Sequence, residues 1–202
     1  MKPHQEDLGR TVRVLAYLIK HGKVDPDKKI ELFYTCSMDQ KAGVDSSDFE
    51  KDIESHHFSD GQCSIGERFG EIVSQILNRK ESGNGASVYV LTDGRWDPPP
   101  NSPRNICGVS SGIERLVNTI KEKNRESNHV GVQFIRFYSR RWHQEDEHGA
   151  ARLHYLDNKL GKRFQKANGV ADGDIVDTTD WDGDVRKILL GGIFRRIDKT
   201  AT

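Results

Sequence analysis

Two aspartates follow short apolar runs, which is where a carboxylate is placed to bind a cation or a substrate. Asp93 comes after the apolar residues 88–91 and Thr92, and Asp177 comes after Ile175 and Val176. Open α/β sheets bind their ligands at the carboxyl ends of the strands, where carboxylates suit Mg²⁺ chemistry. The structural alternative for Asp93 is a turn, because Asp-Gly is a common turn pair and Gly94 follows it.

Helices and strands alternate along the chain, as the spacing of apolar residues predicts, and these elements must position the two aspartates. Helical spacing of apolar residues predicts helices over residues 8–19, 69–77, 113–120, 153–164 and 185–197. Apolar runs predict strands over residues 30–33, 88–91, 130–137 and 175–176, with 88–91 buried on both faces. Residues 38–62 are weakly patterned, with one helical turn near 49–53, and residues 139–149 are a polar insertion. The order predicts an α/β, doubly wound, mainly parallel sheet flanked by helices, in one domain over residues 1–202 with its core at 8–198.

The net charge restricts which classes of partner are expected, and the cysteine content indicates the cellular compartment. The chain of 202 residues has 31 basic and 31 acidic side chains, so its zero net charge predicts neither nucleic acid nor an anionic membrane as partner. Three cysteines do not suggest a disulfide framework, and we therefore expect a cytoplasmic protein. No stretch approaches the roughly 20 apolar residues that a membrane span needs.

Histidines and cysteines supply weaker candidates. His56 and His57 precede Cys63, but the spacing matches no standard zinc pattern, and Cys63 as a nucleophile would need a base placed beside it. Residues 143–148 crowd two histidines and three acids, which favours a solvated loop over a weak cation site.

Two short segments near the closing helix favour structural roles. Residues 181–184 contain Asp182 and Asp184, which are expected to form a turn and cap that helix, with a metal role as the alternative. Gly191 and Gly192 interrupt the helical pattern, which indicates a helix end or close packing.

Five blocks in this order resemble a von Willebrand factor type A domain, specifically the divergent type A-like domains of fungal proteins. The blocks are residues 88–94, 130–137, 152–157, 174–179 and 187–191, and the match runs from about Leu8 to Asp198. The resemblance implies a Rossmann-like fold and a metal-ion-dependent adhesion site, in which Mg²⁺ completes its oxygen shell with a carboxylate of a protein partner.

The ligand set implied by this resemblance is incomplete in the present sequence. Asp93 matches the aspartate that ends the family's fourth strand, while Cys63 stands where the family has a threonine, and a thiol is a poor ligand for Mg²⁺. Ser64 substitutes only if its loop shifts by one residue. The Asp-x-Ser-x-Ser motif is absent, so we expect a degenerate site that binds Mg²⁺ only if that N-terminal motif is supplied.

The same resemblance implies a missing first strand. The chain begins with residues that look like those just after the motif, and the lost strand would lie between the strands at 30–33 and 88–91. A truncated N-terminus is the favoured explanation. The alternatives are a sheet that closes over the gap, and a decayed paralogue.

Two functions remain as hypotheses. The first is a non-catalytic protein-interaction module whose binding face lies around Asp93, Cys63, Ser64 and the proline-rich loop at 96–103. The second is a Mg²⁺-dependent hydrolase or phosphotransferase that uses Asp93, with Asp177 as second carboxylate. The sequence lacks a Gly-rich phosphate loop and an Asp-x-Asp pair, which favours the first hypothesis.

Overall fold

The computed structural model describes residues 1–22, 30–35, 37, 39–58, 65–78, 86–96, 109–122, 130–138, 144–160 and 175–191. Its α-helices are α1 (Gln5–His21), α2 (Ser46–Ser55), α3 (Ile65–Asn78), α4 (Val109–Glu122), α5 (Gln144–Tyr155) and α6 (Val185–Leu190). Its strands are β1 (Ile30–Phe33), β2 (Gln40–Gly43), β3 (Ala86–Thr92), β4 (Val130–Arg136) and β5 (Val176–Asp180). A 3₁₀ turn precedes α1 at Lys2–His4, and a π-helical turn, Leu156–Leu160, follows α5.

Backbone contacts divide the chain into two compact units, Met1–Cys63 and Ser64–Thr202. Each unit has its own strands, since β1 pairs only with β2, and β3, β4 and β5 form the other sheet of the described ranges. The single domain predicted over residues 1–202 stays a prediction.

The first unit packs two helices around a small apolar centre. Leu8, Val12 and Leu15 of α1 are buried, as are Phe49 and Ile53 of α2. At the end of α2 the Gln5 side-chain amide donates to the carbonyl oxygens of residues 53, 54 and 56, at 2.8, 2.9 and 2.9 Å. These hydrogen bonds add to the capping of the last turn of α2, where the Ile53 carbonyl also accepts the His56 amide at 3.2 Å.

The prediction of a strand at 30–33 is confirmed, and this strand, β1, runs antiparallel to β2 with Ile30 opposite Gly43. The first strand that the family resemblance places between residues 30–33 and 88–91 stays a prediction. β2 was not predicted because its sequence, Gln-Lys-Ala-Gly, carries no apolar alternation. The helical turn predicted near 49–53 is confirmed and is longer than predicted, because only Phe49 and Ile53 mark the buried side of the ten-residue α2.

The second unit is built on a parallel sheet in the order β3-β4-β5. Tyr89, Gln133 and Asp177 lie side by side in the ladder, and so do Thr92, Arg136 and Asp180. Parallel neighbours require crossover connections, and the intervening helices α4 and α5 lie in those connections. The molecule is therefore α/β, with a three-stranded parallel sheet flanked by helices.

Burial in this sheet differs from the prediction. Residues 88–91 do form the strand β3, but it lies at an edge and its four apolar side chains are only half-buried. The central strand β4 is the one buried on both faces, with six of its seven residues buried. An apolar run of four was therefore a correct signal for a strand and a wrong signal for its position in the sheet.

Helices cover the sheet from two sides. The Thr178 hydroxyl of β5 donates to the carbonyl of Leu153 in α5 at 3.5 Å. The Tyr89 hydroxyl of β3 donates to the carbonyl of Leu189 in α6 at 2.9 Å. Residues 178 and 89 belong to alternate rows of the ladder, so α5 and α6 lie against opposite faces.

Three further predicted helices are confirmed over the residues that the structure describes. Helices α3, α4 and α6 contain the predicted residues 69–77, 113–120 and 185–190, and the end of the closing helix to 197 lies outside the described residues. The prediction of a polar insertion over residues 139–149 is wrong from residue 144 onward, because α5 begins at Gln144. No helix in the described ranges is long and apolar enough to cross a membrane.

Candidate functional site

The three parallel strands end level with one another. Thr92, Arg136 and Asp180 occupy the same row of the ladder. The backbone continues the pairing by one step, since the Phe137 amide donates to the Thr92 carbonyl at 2.8 Å and the Trp181 amide donates to the Arg136 carbonyl at 3.0 Å. This row is the carboxyl edge of the sheet, the position at which open α/β sheets bind ligands.

Asp93 follows this row directly and fixes a tight turn. One of its carboxylate oxygens accepts the Arg95 amide at 3.0 Å, and the Thr92 hydroxyl accepts the Gly94 amide at 3.0 Å. Gly94 has φ +76°, a left-handed conformation that glycine adopts without a Cβ clash. Asp93 therefore has the turn role that was the structural alternative, while its half-buried side chain lies at the carboxyl edge.

Helix α5 clamps this turn in place. The Gly149 backbone approaches so closely that a Cβ added there would lie 2.6 Å from the Asp93 carbonyl oxygen. The buried guanidinium of Arg152 donates to the carbonyls of Gly94 and Trp96 at 2.7 and 2.9 Å. It also lies 4.8 Å from the centre of the Trp96 ring, a cation–π distance. The positively charged side chain of Arg152 in α5 thus fixes the backbone of the turn that carries Asp93.

The neighbouring strands end in a polar network that the sequence analysis did not pick out. Arg136 forms a two-point ion pair with Asp180, at 2.6 Å from Nε and 3.0 Å from Nη2. The Arg136 guanidinium lies 5.1 Å from the centre of the Tyr138 ring, whose hydroxyl donates to Asp182 at 3.0 Å. That hydrogen bond raises the pKa of Tyr138. The available signal was Arg136 itself, a charge that ends an otherwise apolar strand.

A cation site at Asp93 is not assembled by the described residues. Within the described ranges, no group of three or more His, Cys, Asp or Glu side chains is arranged to hold a metal ion. Cys63 and Ser64, the positions implied by the family resemblance, lie outside the described residues, as do residues 97–103 of the proline-rich loop. Asp93 already accepts a backbone hydrogen bond, and the nearest strand end is cationic at Arg136. The degenerate metal site at Asp93 and Ser64, with Cys63 at the usual threonine position, therefore stays a prediction.

Asp177 is placed away from Asp93. It is 1% exposed and lies level with Tyr89, four residues before Asp93. Four residues of strand correspond to about 13 Å, so the two carboxylates do not meet at one ion. The strand ends at Asp180, directly after residues 177–179, where the sequence predicted its end.

Asp177 instead belongs to a buried polar cluster beneath α6, which we call the Asp177 cluster: Gln133, Asp177, Thr179 and Lys187. Gln133 donates to the Thr179 hydroxyl at 3.2 Å, and Thr179 donates to Asp177 at 3.4 Å. Lys187 Nζ lies 3.4 Å from Asp177 Oδ1. A Cβ at Gly191 would overlap the Asp177 carboxylate, which confirms close packing as the reason for that glycine.

The remaining candidate residues are explained by structural contacts or by exposure to solvent. His56 stacks on Tyr34 with ring centres 3.7 Å apart, and His57 is exposed. His143 lies outside the described residues, while Glu147 and His148 are exposed on α5. Asp184 caps α6 by accepting the Arg186 amide at 2.8 Å, as predicted for residues 181–184.

Comparison with known proteins adds no family assignment: no family model, no curated protein and no solved structure matches this chain. The site has to be interpreted from its own geometry.

Proposed function

We propose that this chain is a non-catalytic protein-interaction module of the von Willebrand factor type A-like kind, with a doubly wound sheet and a binding face at its carboxyl edge. The observation that supports it is the level ending of the three strands at Thr92, Arg136 and Asp180. The turn after β3 is held rigid there by Gly149 and Arg152. A preorganised turn loses little conformational freedom when a partner binds to it.

In this proposal the adhesion-type metal site is degenerate and binding does not depend on Mg²⁺. Asp93 uses a carboxylate oxygen for the turn, and the row beside it holds a guanidinium rather than a further oxygen ligand. The partner is a protein, and the balanced charge of the chain gives no attraction to nucleic acid.

The hydrolase alternative gains no observation in its favour. Its second carboxylate, Asp177, is buried under α6 and paired with Lys187. General acid–base or metal chemistry requires the two carboxylates within reach of one substrate.

The first test concerns the metal. A ligand present at 100 times its dissociation constant stabilises a fold by about 2.7 kcal/mol. We expect the thermal midpoint of the folded protein to stay unchanged in millimolar Mg²⁺, and to be equally unresponsive in Asp93→Asn, which keeps an oxygen for the Arg95 amide. A Mg²⁺-dependent rise that Asp93→Asn removes would overturn the degenerate-site proposal.

The second test concerns the face. A photoreactive amino acid replaces exposed Arg95 at the carboxyl edge, and in a matched control it replaces exposed Glu122 at the far end of α4. We expect a discrete cross-linked protein from position 95 and none from position 122 in extracts of the native cell. Equal cross-linking at both positions, or at neither, contradicts a binding face at this edge.

A further inference from the structure

We draw no further inference here: the strongest candidate, the exposed surface patch of Val14 and Tyr17 on α1, carries none because nothing in the described residues shows what covers it.

Discussion

The two edge strands of the parallel sheet are opposites in composition and in burial. β3 has the most apolar sequence and is only half-buried over residues 88–91. β5 reads Val-Asp-Thr-Thr-Asp, yet Asp177 is 1% exposed and Thr179 is 8% exposed. The difference comes from the covering helices, since α6 closes over the Asp177 cluster and contacts β3 through the hydroxyl of Tyr89.

This contrast shows that burial of a strand depends on its neighbours more than on its own hydropathy. A buried polar side chain is tolerated when hydrogen bonds and an opposite charge satisfy it. The Asp177 cluster meets that condition with Gln133, Thr179 and Lys187. β3 carries no charged side chain that needs such a partner, and its apolar residues 88–91 stay half-buried.

The largest expected effect is at Asp177. Asp177→Ala leaves Lys187 beside an emptied polar site, and breaking a buried pair by removing one partner costs about 3 kcal/mol in free energy of unfolding. Val90→Ala in β3 should cost only about 1 kcal/mol, because that side chain is half-buried. Urea denaturation of both variants measures the difference.

The ranking of these two variants is the point of the comparison. If Val90→Ala costs as much as Asp177→Ala, then β3 is covered more completely than β5. If both are nearly neutral, the Asp177 cluster does not hold α6.

The elements of the second unit were largely predictable from sequence, and their arrangement was not. Apolar period and length identified β3, β4, α3 and α4 because each carries its own apolar face. The edge position of β3 depends on which strands pair, and no local pattern encodes that. β2 and most of α2 escaped prediction because their buried contacts come from Gly43 under Phe49 and from few other apolar residues.

The sequence identified one residue of the carboxyl edge, Asp93, as a candidate. Asp93 was identified from the strand that precedes it, whereas the clamp of Gly149 and Arg152 requires α5 to cross the turn in three dimensions. Asp177 was assigned to the end of the strand because the apolar pattern of β5 stops at Val176, whereas pairing with β4 keeps residues 177–180 within the strand.

Replacing one glycine near each edge strand by alanine should give an intermediate loss of stability. Gly191→Ala places a methyl group against the buried Asp177 carboxylate, and Gly149→Ala places one 2.6 Å from the Asp93 carbonyl oxygen. Overpacking costs about 1–3 kcal/mol, and in Gly149→Ala up to about 1 kcal/mol is offset by the higher helix propensity of alanine in α5. We therefore expect Gly191→Ala to be the more destabilising in thermal unfolding. The reverse order would mean that the turn after β3 is packed more rigidly than the Asp177 cluster.

The smallest effect is a pH dependence that reports how β3 is held by α6. Burial raises the pKa of Tyr89 above its ordinary value, and the protonated hydroxyl donates to the Leu189 carbonyl. A raised pKa means that the folded state keeps its proton longer than the unfolded state. The stability from Tyr89 is therefore fully present below the ordinary pKa of about 10 and is lost as pH rises from there through the raised pKa, with a slope of at most about 1.4 kcal/mol per pH unit.

Tyr89→Phe isolates this contribution. We expect about 1 kcal/mol of lost stability at neutral pH, from the missing hydrogen bond, and a shallower decline of stability in alkaline solution than the wild type shows. Tyr34 also has a raised pKa, because of its burial and its hydrogen bond to Asp52, so Tyr34→Phe is the control for the first unit. If Tyr89→Phe and the wild type lose stability in parallel above pH 10, the Tyr89 hydroxyl is not held under α6, and β3 is attached to the sheet through β4 alone.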